Sequence, residues 1–357
     1  MRSNVHSGVA FGRALIVAAV AVVASAFASG HAAAQSDPIA AFYRGKEMRL
    51  LIGTPVAGGY DTYGRFFARH LPRFMPGAPS VLVQNVPGAA GVNMANSLYV
   101  QQPKDGTVIG SGAGSIATAA LFGGQGARYD ARRFLWIGSL NAEVGLVISW
   151  RDSPVRTAKD LFDRELIVGG SGATDGNVIF PNTMNNVLGT KFRVVPGYKG
   201  TATIAVAMEQ GEVQGMGSWH YSSIITSKPE WLKDGSIHVL VQLALQRHPA
   251  IPDVPTVLEL ARTDEERAVI ELVFAQQDMG RPFFAPPGIP PERGAALRAA
   301  FLAMVNDPEV LKEADRMQLE INQPMPGEAM NALIERLHAQ PGSIIRRAAD
   351  AITRAGG

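Results

Sequence analysis

From Met48 onward, short β-branched runs alternate with longer helical patterns, and the whole alternation occurs twice. "MRLLIG" reads as a strand and "DTYGRFFARHL" as a helix, because Tyr63, Phe66, Phe67 and Leu71 share one face at the helical period. "SVLVQNV", "GTVIGSG" and "RFLWIGSL" are the next strands, with "GVNMANSLYVQ" and "SIATAALF" as the helices among them. After "GLVISW" the series restarts with helix "RTAKDLF", strand "ELIVGG", helix "TDGNVIFPNTMNNVLG", strand "KFRVVPG", helix "ATIAVAMEQ" and strand "VQGMG". Parallel strands need crossover connections, so the expected fold is α/β in two units, each a mainly parallel sheet flanked by helices.

The strand "IHVLVQL" is followed by "RHPAIPDVPTVLEL", whose prolines mark a connection. The C-terminal third, beyond the apolar "GRPFFAPPG", reads as four helices, with Pro291 and Asp307 at helix starts. Helices without a sheet of their own must pack on an existing one, so the chain is expected to cross between its two units twice. The crossings are placed near Val144 and within residues 243–284, giving one lobe from 35–143 plus 270–357 and a second from 144–269.

At the N-terminus Arg2 and Arg13 precede an almost unbroken apolar run from Ala14 to Ala28, and Ala32, Ala33 and Ala34 follow. This is the layout of a cleavable signal peptide over residues 1–34, and it implies an exported mature protein. The run is shorter than the roughly 20 residues a spanning helix needs, which disfavours the alternative of an uncleaved anchor. Removing 34 of 357 residues leaves 323 and takes away two arginines and no acid, so 31 basic residues balance 31 acidic ones. Balanced charge provides no attraction toward nucleic acid or an anionic membrane. With no cysteine, disulfides, thiolate metal sites and cysteine nucleophiles are all excluded.

Glycine- and serine-rich loops follow five strands: Thr54 to Asp61, Asn85 to Gly91, Gly110 to Ser115, Gly169 to Gly176 and Gly215 to Trp219. In open α/β sheets ligands sit at such carboxyl ends. A phosphate loop needs a lysine after its last glycine, whereas Tyr60 and Asp61 follow Gly58 and Gly59. The spacing of Gly112, Gly114 and Ala117 nominally matches a dinucleotide fingerprint, but "FLWIGSL" lacks the acidic ribose partner. No serine stands in G-x-S-x-G, and the histidines His70, His220, His248 and His338 form neither H-E-x-x-H nor a compact cluster. No catalytic set, metal site or cofactor is therefore expected.

What these loops offer is backbone N–H groups at helix N-termini, which attract anions without an arginine, a carboxylate above all. Thr54, Ser111, Ser115, Ser171, Thr174 and Ser218 can each add a hydroxyl, or serve only as helix caps. Asp61 and Asp175 read as caps or loop braces. Tyr60, Tyr198 and Trp219 can stack on a ligand body or simply pack, and His220 is the histidine nearest a strand end.

"GTPVAGGYDTYGR", "QNVPGAAG", "PKDGTVIG", "YDARRF", "SPVRTAKDL", "YKG", "PDVPTVLE" and "FFAPPGIPPE" occur in an order that resembles the periplasmic substrate-binding proteins of tripartite tricarboxylate transporters, also called Bug receptors. The likeness runs from about Phe42 into the C-terminal helices. It implies a two-lobed Venus-flytrap fold of the type II binding-protein kind, and a non-enzymatic monomer that captures a small organic carboxylate, mono-, di- or aromatic, between its lobes and delivers it to membrane transporter subunits of the tripartite tricarboxylate type. By position, Thr54, Pro55, Val56, Ala57, Gly58 and Gly59 would hold one carboxylate through main-chain groups and water. Ser171, Gly172, Ala173, Thr174 and Asp175, with Gly217, Ser218 and Trp219, would meet the rest of the ligand. Gly53 and Thr54 replace the family's proline and phenylalanine, Gly170 and Ser171 replace a serine pair, and Gly217 stands where an acid or asparagine is frequent. The departures leave the ligand's identity open, and two other roles remain: a carboxylate sensor that docks on a signalling partner, or a secreted enzyme using His220 and Asp175.

Overall fold

A computed structural model of the chain describes residues 37–353, apart from 57–58, 124–125 and 173–174. The signal segment and the site candidates Ala57, Gly58, Ala173 and Thr174 therefore lie outside the described residues. The strands are β1 Glu47–Ile52, β2 Ser80–Asn85, β3 Val108–Ser111, β4 Leu135–Ser139, β5 Gly145–Trp150, β6 Leu166–Gly169, β7 Phe192–Val195, β8 Gly215–His220, β9 Ile237–Leu243, β10 Pro282–Ala285 and β11 Met325–Pro326. They form one sheet in the order β11-β4-β10-β3-β1-β2 and a second in the order β7-β6-β8-β5-β9.

Burial explains where each strand sits. β3 and β10 are buried at every position and β5 at all but its last, which is the pattern of central strands covered on both faces. β2 alternates exposed and half-buried positions because it lies at an edge, so Leu82 faces solvent although its run is apolar.

The parallel pairs expected from the alternation are present: β1 with β2 and β3, and β6 with β7 and β8. Each sheet also receives one antiparallel strand in its interior, β10 between β3 and β4 and β5 between β8 and β9. These are the strands at which the chain enters each sheet from the other one. β4 leads through residues 140–144 into β5, and a 3-10 turn, Ala275–Met279, leads into β10. The two crossing segments bond to each other: Glu143 N–H donates to the Gln277 carbonyl at 2.8 Å, and Gly280 N–H to that of Asn141 at 3.1 Å.

The helices are α1 Pro38–Tyr43, α2 Gly59–His70, α3 Val92–Val100, α4 Asp160–Asp163, α5 Gly176–Leu188, α6 Thr201–Glu209, α7 Tyr221–Ser227, α8 Asp264–Phe274, α9 Pro291–Val305, α10 Pro308–Arg316, α11 Gly327–His338 and α12 Gly342–Thr353. α2 buries Tyr63, Phe66 and Phe67, as its period predicts, while Leu71 packs from the 3-10 turn Leu71–Arg73. Asp307 accepts from the N–H groups of Glu309 and Val310 and so caps α10, and Pro291 is the first residue of α9. "SIATAALF" yields only the 3-10 turn Gly114–Ala117.

α9 and α11 cover β4 of the first sheet, but α12 packs on α5 and α8 beside the second. Asn186 of α5 donates to the Ala351 carbonyl of α12 at 2.9 Å. The end of the chain thus crosses once more after His338.

Candidate functional site

The register fixes which strand ends meet. Pro282 pairs with Ser139 and Phe283 with Ser111, while Gly145 pairs with both His220 and Leu243. The carboxyl ends of β3 and β4, with β1 beside them, and those of β8 and β9 therefore all lie at the crossing segments. The loops after these strands open there.

In the first loop, Gly53 lies against Gly91, where a Cβ would come within 2.7 Å of the Gly91 Cα. A larger residue would push the two loops apart, which gives the departure from proline a steric reason. Asn85 Nδ2 donates to the Thr54 carbonyl at 3.0 Å and to Asp61 Oδ1 at 2.9 Å, and Arg65 binds the same carboxylate at 3.0 Å. Asp61 is thus a loop brace. The Thr54 hydroxyl is buried without a hydrogen-bond partner among the described residues. Val56 is exposed, and Ser111 is buried at the end of β3.

Behind the start of α2 lies a buried charged cluster. Arg281 Nη2 is 2.5 Å from Glu143 Oε1, with both side chains almost wholly buried. The Arg281 guanidinium lies 4.5 Å from the Tyr60 ring centroid and 4.7 Å from that of Tyr63. Its Nη2 would be 3.2 Å from a Cβ on Gly59, so the cation stands directly behind the helix start. Ser222 Oγ donates to Glu143 Oε2 at 3.1 Å, Asn141 Nδ2 donates to Oε1 at 3.3 Å, and His220 Nδ1 is 3.9 Å from Oε2. Desolvation pushes the Glu143 carboxyl up, but Arg281 above all, with Asn141 and Ser222, outweighs it and holds it below the usual range. Desolvation lowers His220 despite its carboxylate neighbour, so this histidine favours the neutral form.

The second sheet contributes the start of α5. Ser171 Oγ donates to Asp175 Oδ2 at 2.6 Å, and Gly172 N–H donates to the same oxygen at 2.8 Å. The Asp175 side chain makes no cap bond to α5, so it too is a brace. The Ser218 hydroxyl stands 2.9 Å from where a Cβ on Gly145 would sit and 3.6 Å from one on Gly176.

Three of the expected ligand residues make packing contacts within the second lobe. Gly217 lies under the Pro181 ring, where a Cβ would approach within 2.6 Å. Trp219 is in the core with its ring 5.9 Å from that of Trp231 in an edge-on contact. Tyr198 packs beside Gly169 and its hydroxyl donates to Glu212 at 3.4 Å. Sequence reasoning passed over Glu143, Gln277 and Arg281. For Glu143 and Arg281 the signal available was a lone charge just before a buried strand, in "NAEVGLVIS" and "GRPFFA"; Gln277 had none.

No group of three or more metal-ligating side chains occurs among the described residues, and no helix among them is long and apolar enough to cross a membrane. Two α/β sheets joined by bonded crossing segments, with loops and helix starts converging on the junction, define a two-lobed solute-binding protein. Residues 75–349 match the tripartite tricarboxylate transporter family receptor, and the chain belongs to that family of periplasmic binding proteins, a receptor family rather than an enzyme family.

A TctC solute-binding protein from Polaromonas is 22% identical, with a TM-score of 0.65 over 85% of this chain and 99% of that one. An R. palustris protein described with adipate is 20% identical, with a TM-score of 0.59 over 85% and 97%. MatC from Rhodopseudomonas palustris, described with bound malate, is 18% identical, with a TM-score of 0.58 over 84% and 99%. At these identities the likeness concerns the fold. No curated protein matches the chain.

Proposed function

We propose that this protein captures a small organic carboxylate between its lobes in the periplasm and delivers it to tripartite tricarboxylate-type membrane subunits. The observation that carries the reading is the start of α2, which lies at the junction with the Arg281 guanidinium directly behind Gly59, the positive end of a helix reinforced by a cation. The adipate and malate of the R. palustris relatives support the ligand class. The lobes we assign are 35–143 with 270–357 and 144–269, hinged near 144 and within 243–284, with α12 docked across onto the second.

Mature protein titrated with aliphatic dicarboxylates, aromatic acids and amino acids should melt higher with at least one of them. A ligand at a hundred times its Kd adds about 2.7 kcal/mol. No shift with any acid at millimolar concentration overturns the reading. Export and cleavage after Ala34 should give a periplasmic protein whose N-terminal sequence begins at Gln35, and a chain that retains Met1 to Ala34 would refute the cleavage.

A further inference from the structure

Gln277 lies on the 3-10 turn of the second crossing segment and is only 6% exposed. Its backbone carbonyl is occupied by the Glu143 N–H, yet its Nε2 has no hydrogen-bond partner among the described residues. Leaving a buried donor unpaired is costly, so such a group calls for a role. Nε2 is 3.1 Å from where a Cβ on Gly145 would sit, and the Ser218 hydroxyl is 2.9 Å from the same point. The two donors therefore converge over one glycine. Ser218 in turn borders Gly176, the first residue of α5, a helix of 13 residues. Phe180, tilted against Phe274 with ring centroids 4.8 Å apart, borders Gly176 and provides apolar surroundings. Of the acids around this point, Asp175 has its carboxylate turned back onto Ser171 and Gly172, Glu143 has its carboxylate paired with Arg281, and Asp278 follows Gln277 on the same turn.

An amide donor, a hydroxyl and the positive end of a helix suit an acceptor oxygen that enters from the junction. We propose that Gln277 is a specificity-determining residue that, with Ser218 and the start of α5, binds the distal carboxylate of a dicarboxylate ligand. Its proximal carboxylate rests at α2, so this assignment depends on the carboxylate capture proposed above. Gly145 and Gly176 lack side chains where the distal group must approach, and a Cβ at Gly145 would crowd both donors.

The experiment compares acids matched in length with and without the distal group: succinate with butyrate, glutarate with pentanoate, and adipate with hexanoate. Calorimetric Kd values are measured for the wild type and for Gln277→Met, Gln277→Leu and Ser218→Ala. In at least one pair the wild type should prefer the diacid by about tenfold to a hundredfold, the worth of a hydrogen bond to a charged group. Gln277→Met, which keeps the length and removes the donor, should bring that ratio toward one while leaving the Kd of the monoacid unchanged. A purely structural role would weaken both acids equally and keep the ratio. Melting of the ligand-free variants identifies any that do not fold, and Ser218→Ala, a smaller change, then carries the comparison. A wild type with no diacid preference, or folded variants that retain it, overturns the role of Gln277 while leaving carboxylate capture intact. If none of the six acids binds the wild type, capture of these acids and this assignment fall together.

Discussion

Glu143→Leu is expected to destabilise the protein by about 3–5 kcal/mol, because it leaves the Arg281 guanidinium buried and unpaired. For a chain of this size that lowers the melting temperature by on the order of 10 °C. The double variant Glu143→Leu, Arg281→Met should recover most of the loss, since apolar replacement of both partners removes the uncompensated charge together with the pair. The pH dependence follows from the direction of the shift. The folded carboxyl titrates below its ordinary value, so its contribution is present in full above the unfolded value, about 4.3, and is lost as pH falls through the folded one. Wild-type stability should therefore drop more steeply in acid than that of the double variant. A single variant that melts like the wild type would show that the pair does not hold the crossing segments together.

Gly114→Val is expected to abolish carboxylate binding and to cost at least about 1–3 kcal/mol by overpacking. A Cβ at Gly114 would stand 2.3 Å from the Gln276 carbonyl oxygen and 2.7 Å from that of Met279. Both obstacles are backbone, so relief requires the turn Gly114–Ala117 to lift off the second crossing segment, carrying the loop from Ser111 with it. Gly342→Ala is the control, because a Cβ there meets only the far end of Arg346 at 3.4 Å. Titration with whichever acid stabilises the wild type, beside the melting temperature of each variant, separates lost binding from lost folding. Normal binding by Gly114→Val would detach this turn from the site.

Particular residues show where the sequence was legible. The face formed by Tyr63, Phe66 and Phe67 was readable because a helix repeats locally, and all three are buried. Asp61 and Asp175 were readable as braces because short acidic side chains bond nearby backbone and loop groups. For Gly217 and Trp219 the sequence leaves ligand contact and packing open, since what a residue at a strand end faces depends on what packs above it. Pro181 packs on Gly217 and Trp231 on Trp219, contacts that no local period announces.

By itself the sequence determined the α/β class, the doubling of the sheet, the loops at the strand ends and the family, because periodicity and motif order are properties of neighbouring residues. Only the tertiary structure decided that β5 and β10 run antiparallel inside their sheets and that α12 returns to the second lobe. It alone brought Glu143, Gln277 and Arg281 together between the lobes. Single charged or amide residues carry no period, and their partners are set by how the two crossing segments pair in space.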